Sequence, residues 1–290
     1  MWTFLGLSSV VQTIGEERKM PQGRVGSVAR AVRLLRVFLE PPHCYSVTEL
    51  SKATGYTKSL TFRLLQTLIS EEMVIKDPIS KTYSLGYGLI ELGAIAGRTS
   101  TLVRLADPIL DALAEETGET INLVVRTDDV SATCIAQRES RNLVQVMGRI
   151  GTRYDLHAGA TAKVLLAFAP QDVIETYIAT RSPLKKLTPN TITDPNELRA
   201  ELERIRRRGY SISDREFDMH SWGVAAPVYG ADGVVQSGIS VAAPISRVDD
   251  KLRQHCIDAV LRWASELSKR LSAAQHFTSG PGLHLSRSVR

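Results

Sequence analysis

The sequence is poor in cysteine and lacks any long hydrophobic run. Its three cysteines, Cys44, Cys134 and Cys256, lie about a hundred residues apart, too far for the ligand spacings of metal clusters or redox pairs, so buried free thiols are expected. No uncharged apolar stretch approaches the roughly 18–20 residues that span a bilayer, and no basic segment precedes the short apolar stretch near the N-terminus. We therefore expect no membrane span, no secretory signal and a cytoplasmic location.

The composition is typical of a soluble globular chain, since 43% of the 290 residues are apolar and 23% are charged. These values exclude a collagen-like, wholly disordered or disulfide-stapled protein, and the length predicts one large or two medium domains. The net charge of +5 is uneven, because residues 21–86 hold nine Lys/Arg and five Asp/Glu whereas residues 87–272 are almost neutral. This asymmetry indicates a polyanion-binding module, although an ordinary solvated surface also accommodates four extra charges.

The basic segment begins with two predicted helices. Apolar residues recur at helical spacing over residues 27–40, and Pro41-Pro42 ends this first helix. Ser46 and Glu49 have the spacing of a capping box, which predicts that a second helix begins there. Gly55 follows and favours a tight turn into a third helix.

The third helix is predicted from its N-cap residue Thr57 to Glu71, with two chemically different faces. A step of about 100° per residue places Leu60, Leu64 and Leu68 together on one face. The opposite face carries Ser59, Phe62, Arg63, Gln66 and Ser70. Two short helices joined by a tight turn are typical of a helix-turn-helix, although any small helical bundle shares this pattern.

The polar face of the third helix suits contacts in a DNA groove. Arg63 can make two hydrogen bonds to guanine, Gln66 can pair with adenine, and Phe62 can contact a thymine methyl group. Lys58 and Ser59 suit the phosphates. A phenylalanine exposed to water on a bundle helix would otherwise be unusual.

Two short strands are predicted directly after the third helix, over residues 73–76 and 82–85. The turn between them, residues 77–81, is rich in residues that break regular structure. Such a hairpin is the wing of a winged helix-turn-helix, with Lys81 at its tip. The residues expected to contact DNA are Thr57, Lys58, Ser59, Phe62, Arg63, Gln66 and Lys81.

The remainder predicts an α+β domain with an antiparallel sheet, preceded by connecting helices over residues 88–98 and 101–117. Gly118 is placed to end the second of these helices. The expected strands are Ile121–Arg126, Ser131–Gln137, Leu143–Met147, Gly223–Tyr229 and Val234–Ala242, the last two forming a hairpin. The expected helices are His157–Ala169, Asp194–Arg208 and Asp249–Leu271.

Over about residues 24–272 the chain resembles the isocitrate-lyase-regulator (IclR) family of bacterial transcription factors. The resemblance implies a winged-helix DNA-binding domain, a helical linker and a C-terminal domain that binds a small effector, often an organic acid, in a dimer or tetramer. The expected organisation is a flexible segment 1–23, a DNA-binding domain 24–86, a linker 87–100, an effector-binding domain 101–272 and a disordered tail 273–290. The segments that carry the resemblance, in order, are SVARAVRLLRVF, SVTELSKATGYTKSLTFRLLQTL, LGYGLIELG, LADPILDALAEETGET, GTRYDLHAGATAKVLLAF, LTPNTITDPNELRAELERIRRRGY, SDREF, GVAAPVYGADG and ISVAAP.

In the recognition helix, Lys58, Ser59 and Arg63 match the family's motif. Leu60 stands where threonine is common and Phe62 where histidine or tyrosine often occurs. The resemblance therefore implies DNA binding with an altered base preference.

The resemblance also places an effector pocket on small and polar residues of the C-terminal domain. Independently of it, the run Ala158–Thr161 opens a predicted helix whose free N–H groups and dipole favour a carboxylate; a helix that merely packs tightly has the same pattern. The residues implied are Val146, Tyr154, Gly159, Ala160, Thr161, Ser213 or its neighbour Asp214, Gly223, Ser240 and Ala242.

Three of these positions, and Ala162 beside them, depart from the family's pattern. Gly223 replaces a frequent cysteine, Ala242 a frequent serine, Tyr154 a frequent aliphatic residue and Ala162 the usual glycine. Hydrogen-bonding groups are lost, volume is gained at position 223 and an aromatic wall is added. We therefore expect a larger, less polar effector, such as an aromatic carboxylate, rather than a two-carbon oxo-acid.

Two other functions compete with this interpretation. An enzyme could use His157, His220, Asp214 and Cys134, but no nucleophile-elbow, zinc-protease, P-loop or dinucleotide motif supports catalysis, and no metal or cofactor is expected. A DNA-binding protein without a ligand is disfavoured by the size of the C-terminal domain. A dimer on double-stranded operator DNA is expected on geometric grounds, since one recognition helix reads only a few base pairs.

Overall fold

The computed structural model describes residues 25–146 and 148–278. The chain divides into two compact units between Arg98 and Thr99. The expected flexible segment 1–23 and the tail beyond residue 278 lie outside the described residues. Within the described ranges, no helix combines the length and the apolar composition needed to cross a bilayer.

In its described part, from residue 25 onward, the first unit consists of three helices, a two-stranded hairpin and a fourth helix. Its helices are α1 (Gly26–Val37), α2 (Val47–Thr54), α3 (Lys58–Ser70) and α4 (Gly88–Thr99), and its antiparallel strands are β1 (Val74–Lys76) and β2 (Tyr83–Leu85). The helix-turn-helix and wing predicted from the sequence are therefore confirmed.

The local signals in the first unit act as predicted. The Ser46 hydroxyl accepts from the Glu49 backbone N–H, and the Glu49 side chain accepts from the Ser46 backbone N–H, which completes the capping box. Gly55 has φ 72°, a left-handed conformation that glycine adopts without steric cost. Thr57 caps α3 by accepting from the Leu60 N–H.

The buried stripe of α3 is shifted from the predicted one. Thr61, Leu65 and Leu68 are buried, whereas Leu60 and Leu64 are only partly covered. Thr61 is tolerated in the core because its hydroxyl donates to the Thr57 carbonyl, 3.0 Å away. The prediction placed the stripe by apolarity alone and did not foresee that a threonine with a satisfied hydroxyl would take a core position.

The second unit is an α+β fold around one six-stranded sheet. Its strands are β3 (Thr120–Arg126), β4 (Ser131–Arg138), β5 (Arg153–Asp155), β6 (Ser211–Asp214), β7 (Ser221–Tyr229) and β8 (Val235–Pro244), and its helices are α5 (Thr101–Thr117), α6 (Ala160–Ala167), α7 (Gln171–Arg181), α8 (Pro195–Arg208) and α9 (Asp250–Thr278). The strand order is β5-β4-β3-β8-β7-β6, and every neighbouring pair is antiparallel.

Side chains alternate between two cores on the two faces of this sheet. One face packs on α5 and α9 through residues such as Leu123, Val241 and Trp222. The other packs on α6, α7 and α8 through residues such as Val124 and Ala225. Successive residues of each strand therefore face either α5 and α9 or α6, α7 and α8. Only residues on the second face can contact α6.

Several predicted boundaries in this unit are wrong. Residues 143–146 form no strand, and Met147 lies outside the described residues. The edge strand is β5 instead, because the preceding loop is held by side-chain bonds such as that of the Ser140 hydroxyl to the Gly118 carbonyl. α9 continues to Thr278, so residues 273–278 of the expected disordered tail are helical. The prediction also missed α7 and β6.

Candidate functional site

The recognition helix α3 presents its predicted polar face to solvent. Ser59, Arg63 and Gln66 are exposed, and Phe62 is 46% exposed although it is aromatic. Lys58 and Arg63 form no ion pair with an acidic side chain within the described ranges. This face therefore presents two unpaired cationic side chains, the amide of Gln66 and the ring of Phe62 on one helix.

The wing is a tight turn organised by Asp77. The Asp77 carboxylate accepts from the backbone N–H groups of Ile79 and Ser80, both at 2.7 Å, and these bonds lower the pKa of its carboxyl group. Lys81 is exposed and has φ 60°. Ile79 is 90% exposed at the same tip. Sequence reasoning selected Lys81 and missed Ile79, although an isoleucine beside a proline in a polar turn was a visible signal.

The candidate ligand site lies at the N-terminus of α6. Gly159 is the N-cap residue, with φ 90° and no side chain to cap the helix. The first intrahelical bond runs from the Lys163 N–H to the Gly159 carbonyl. The backbone N–H groups of Ala160, Thr161 and Ala162 have no acceptor among the described residues. Three such donors at the positive end of a helix dipole have the chemistry that favours an anionic group.

The sheet register brings the predicted small residues beneath this helix end. Gly223 on β7 lies between Ser213 on β6 and Ala242 on β8. A Cβ atom at Gly223 would lie 3.8 Å from the Ala160 Cβ and 3.4 Å from the Val241 carbonyl oxygen. Glycine at this position therefore keeps space open between the sheet and the first turn of α6.

Polar residues of the sheet and of α6 meet beside this helix end. Ser213, Ser240 and Thr161 are 5%, 4% and 8% exposed as whole residues. Their hydroxyl oxygens are not among the buried polar atoms that lack a partner in the described residues. Asn122, opposite Ser240 on β3, accepts only a long contact from the Cys134 thiol. Hydroxyl and amide groups gathered beside a helix N-terminus are available to hydrogen-bond a polar ligand.

An aromatic pair borders the site on the α6 side. The ring of Tyr154 on β5 meets the ring of Phe217 edge-on, with centroids 5.3 Å apart. Burial raises the pKa of the Tyr154 hydroxyl. Phe217 approaches Gly159, whose Cβ position lies 3.8 Å from the Phe217 Cβ. Tyr154 was predicted as a wall, and Phe217 was missed because only the fold brings its loop beside Gly159.

The segment before β5 crosses the same region. The Val146 carbonyl accepts from the Thr120 hydroxyl at 3.1 Å. A Cβ at Gly148 would lie 2.7 Å from the Asn122 side-chain oxygen, which shows that the chain passes directly over that amide. The Val146 backbone therefore lies at the start of β3.

Asp214, which was predicted as an alternative to Ser213, lies on the face of the sheet opposite α6. It is paired with Trp222 in the β-ladder and so shares the opposite face from Ser213. Its carboxylate accepts from Arg215 at 2.9 Å and lies 3.8 Å from Arg253 on α9. Of the two alternatives at this point of β6, Ser213 is the one on the α6 side.

Behind the helix end lies a buried ionic cluster. Lys163 is fully buried, and its ammonium donates to Glu216 at 2.6 Å and to the Ile212 carbonyl at 2.8 Å. Glu201 lies 3.6 Å away and also binds Arg204 and Arg208 at 2.9 Å. Burial raises the pKa of Glu216, and the charge of Lys163 offsets only part of this effect.

The residues considered for catalysis are not arranged for it. His157 is buried, with Nδ1 2.6 Å from the Tyr177 hydroxyl and Nε2 2.9 Å from the Lys185 carbonyl. His220 is exposed. Burial raises the pKa of Cys134 to about 11, which disfavours the reactive thiolate. Over residues 25–146 and 148–278, no cluster of three or more metal-ligating side chains occurs.

A winged helix-turn-helix with a basic, solvent-exposed helix, followed by an α+β domain, is the architecture of a DNA-binding transcriptional regulator with an effector-binding domain. The chain belongs to the IclR family of bacterial transcriptional regulators. The family's helix-turn-helix domain matches residues 27–78, and the C-terminal domain of the bacterial transcriptional regulator IclR matches residues 97–269.

Known proteins of this family align over most of the chain. The regulator KipR of Bacillus subtilis is 28% identical, covering 86% of this chain and 98% of its own. The structure of an IclR regulator from Silicibacter sp. TM1040 has 27% identity and a TM-score of 0.77, covering 85% and 96%. A homologue from Microbacterium hydrocarbonoxydans, solved with 4-hydroxybenzoate, has 23% identity and a TM-score of 0.67, covering 86% and 100%. These family members are transcriptional regulators and not enzymes, which excludes the catalytic alternative.

Proposed function

We propose that this regulator binds operator DNA through α3 and the wing and that a carboxylate at the N-terminus of α6 modulates this binding. The observation that carries the proposal is the meeting of three backbone N–H groups that have no acceptor among the described residues with the hydroxyls of Ser213 and Ser240 on the sheet and of Thr161 on α6. An anion bound there would accept hydrogen bonds from the helix end and be favoured by the helix dipole. The protein acts in the cytoplasm, where its operator lies.

On DNA, Arg63, Gln66 and Phe62 contact base edges in the major groove. Lys58 and Ser59, with the capping residue Thr57 beside them, bind phosphates and fix the position of the helix. Lys81 at the wing tip contacts the backbone or the minor groove. The exposure of all seven predicted residues supports this assignment.

The ligand is proposed to be an aromatic carboxylate. Gly223 and Ala242 leave room beside α6, Ser213 and Ser240 supply hydroxyl donors, and Tyr154 supplies a ring. The 4-hydroxybenzoate bound to the Microbacterium homologue supports this chemical class. Val146 covers the pocket from the segment before β5.

A second copy of the chain is the proposed protein partner. One recognition helix reads only a few base pairs, and two related by symmetry reach major grooves about 34 Å apart. α4 carries exposed apolar side chains, Ile90 at 67% and Leu92 at 58%, and Tyr87 just before it is 72% exposed. Apolar surface of this extent on a short helix favours burial between two copies.

The ligand regulates only if it binds the DNA-competent and DNA-incompetent states with different affinity. The test is calorimetric titration of the full-length protein with 4-hydroxybenzoate, benzoate and pyruvate, for the wild type and the Ala160→Asp variant. Aspartate there adds negative charge where a carboxylate is expected; because Ala160 is buried, retained operator binding serves as the check that the variant is folded. Binding by the wild type and its loss in Ala160→Asp support the proposal, whereas equal binding by both places the ligand elsewhere. Ala160→Ser, small and neutral, serves as the matched control.

A further inference from the structure

Phe217 is an aromatic side chain that the fold holds beside the N-terminus of α6 without burying it. It is 41% exposed, although it lies directly after Glu216, whose side chain is only 12% exposed. Its ring contacts Tyr154 edge-on at 5.3 Å, and its Cβ lies 3.8 Å from the position that a Gly159 Cβ would take. The ring therefore stands beside the first turn of α6, within reach of whatever binds there.

The backbone that carries Phe217 is fixed from several directions. The Glu216 carboxylate is held by the buried Lys163 ammonium of α6 at 2.6 Å. The Glu216 carbonyl accepts from the hydroxyls of Thr191 at 2.7 Å and Thr188 at 3.2 Å. Thr188 also donates to the Arg215 carbonyl at 2.6 Å. An exposed ring on such a constrained segment is preorganised, so it loses little conformational entropy when a partner packs against it.

Lys163, which holds the Phe217 segment, and the N-terminus of α6 belong to the same helix. Lys163 lies on α6, within the first turn after the three free backbone N–H groups, and it ties the Phe217 segment to that same helix. A ligand carboxylate at the N–H groups and a ring beside Phe217 would thus be positioned by a single rigid body. The distance between the two recognition elements is set by the fold and does not depend on a flexible loop.

We propose that Phe217, together with Tyr154, selects ligands that carry an aromatic ring, and that Glu216 is its positioning residue. This inference rests on the proposed carboxylate site at α6, and it adds the residue that distinguishes aromatic from short aliphatic acids. Edge-on and offset ring contacts favour an aromatic ligand, whereas a two- or three-carbon acid at the helix end does not extend to Phe217.

The test measures affinity by calorimetry for benzoate and 4-hydroxybenzoate against pyruvate in the full-length protein. Phe217→Leu keeps the apolar character and removes the ring, and Phe217→Tyr keeps the ring as the matched control. Phe217→Leu is expected to weaken both aromatic acids by about three- to tenfold, the range of an aromatic pair contact. Pyruvate binding is expected to change less than twofold, and Phe217→Tyr to retain the wild-type preference.

The positioning role of Glu216 is tested by the ratio of aromatic to pyruvate affinity. Glu216→Gln retains an acceptor for Lys163 but removes the charge that holds it, so the ratio is expected to fall toward that of Phe217→Leu. Thr191→Val, which removes the bond to the Glu216 carbonyl, provides a second variant that keeps both charges. A purely structural role would lower thermal stability and leave the ratio unchanged.

The outcomes separate the inference from the proposed function. If the wild type binds aromatic acids and Phe217→Leu binds them equally well, Phe217 does not select the ring and the inference is overturned while the α6 site stands. If the wild type binds pyruvate but no aromatic acid, the inference fails and the carboxylate site survives. If no acid binds, both fail.

Discussion

The proposed DNA-reading surface and the proposed ligand site place their polar groups in opposite environments. On α3, Arg63 and Gln66 are exposed to solvent on one helix, where a partner can contact them directly. In the second unit, Ser213, Ser240 and Thr161 are buried and come from three different elements. The first surface depends on helix periodicity alone, whereas the second exists only when the sheet register is correct. Variants at the two places should therefore affect different properties. The expected changes in free energy decrease from folding, through DNA binding, to ligand binding.

The largest effect is expected from Lys163→Met, because it leaves Glu216 as a buried charge without its cation. Breaking a buried pair by removing one partner costs about 3–5 kcal/mol in the free energy of unfolding. Denaturant titration followed by the fluorescence of Trp222 and Trp263, both in the second unit, measures it. The double variant Lys163→Met/Glu216→Leu removes both charges and should recover much of the loss. A single variant as stable as the wild type would show that the cluster is not coupled.

The next effect concerns the reading helix. Arg63→Ala should weaken binding to the specific operator by about 1–3 kcal/mol and binding to random DNA by much less, as expected for a side chain that reads a base. Fluorescence anisotropy at fixed salt concentration gives both affinities. Lys58→Ala is the matched control, since a phosphate contact should weaken both DNAs alike and reduce the salt dependence. Equal losses for Arg63→Ala on both DNAs would reduce Arg63 to a phosphate contact.

A smaller and more selective effect is expected at Gly223. A Cβ there already approaches the Val241 carbonyl oxygen at 3.4 Å and the Ala160 Cβ at 3.8 Å, so Gly223→Leu fills the space beside α6. Filling space penalises the larger ligand first, and 4-hydroxybenzoate should lose more affinity than pyruvate, by about tenfold or 1.4 kcal/mol. Calorimetry on both acids measures the difference, with Gly223→Ala as the milder control. Equal losses would contradict the size argument.

The smallest effect is the pH dependence contributed by His157. Burial lowers the pKa of its imidazole below the ordinary value of 6.5, and the bond to the Lys185 carbonyl only partly opposes this. The unfolded chain then binds more protons than the fold, so this contribution to stability is present above pH 6.5 and is lost as the pH falls below it. His157→Gln should flatten that slope in urea titrations, while His220→Gln, at an exposed position, should keep it. An unchanged slope in His157→Gln would assign the pH dependence to other groups.

The same comparison shows how far sequence reasoning reaches. The capping box at Ser46, the turn at Gly55 and the exposed face of α3 were predictable because each depends on residues within a few positions. Most residues of the proposed ligand site were predicted only from the family resemblance. The N-terminus of α6 was also predicted from the run of small residues that opens the helix. Which of Ser213 and Asp214 lies on the α6 side of the sheet depends on the pairing of β6 with β7, and no local sequence pattern reveals that pairing.

Two further features could not be predicted for related reasons. Phe217 is held beside α6 by contacts of its neighbours with distant residues, among them the bond from Lys163, more than fifty residues earlier in the chain, to Glu216. The segment 143–146 has strand-like composition but is held as a loop by side-chain bonds to the start of β3, such as that between Thr120 and the Val146 carbonyl. Both depend on contacts between residues distant in sequence, and local propensity carries no information about them.

If ligand binding at α6 and DNA binding at α3 are thermodynamically coupled, a closed cycle of affinities reveals it. The cycle measures the operator affinity with and without saturating 4-hydroxybenzoate, and the affinity for 4-hydroxybenzoate with and without bound operator. Both affinities should change by one and the same factor, about 5–150-fold as is typical of such coupling, and Ala160→Asp should abolish the change while retaining operator binding. A ligand that binds at α6 yet leaves the operator affinity unaltered would contradict this coupling.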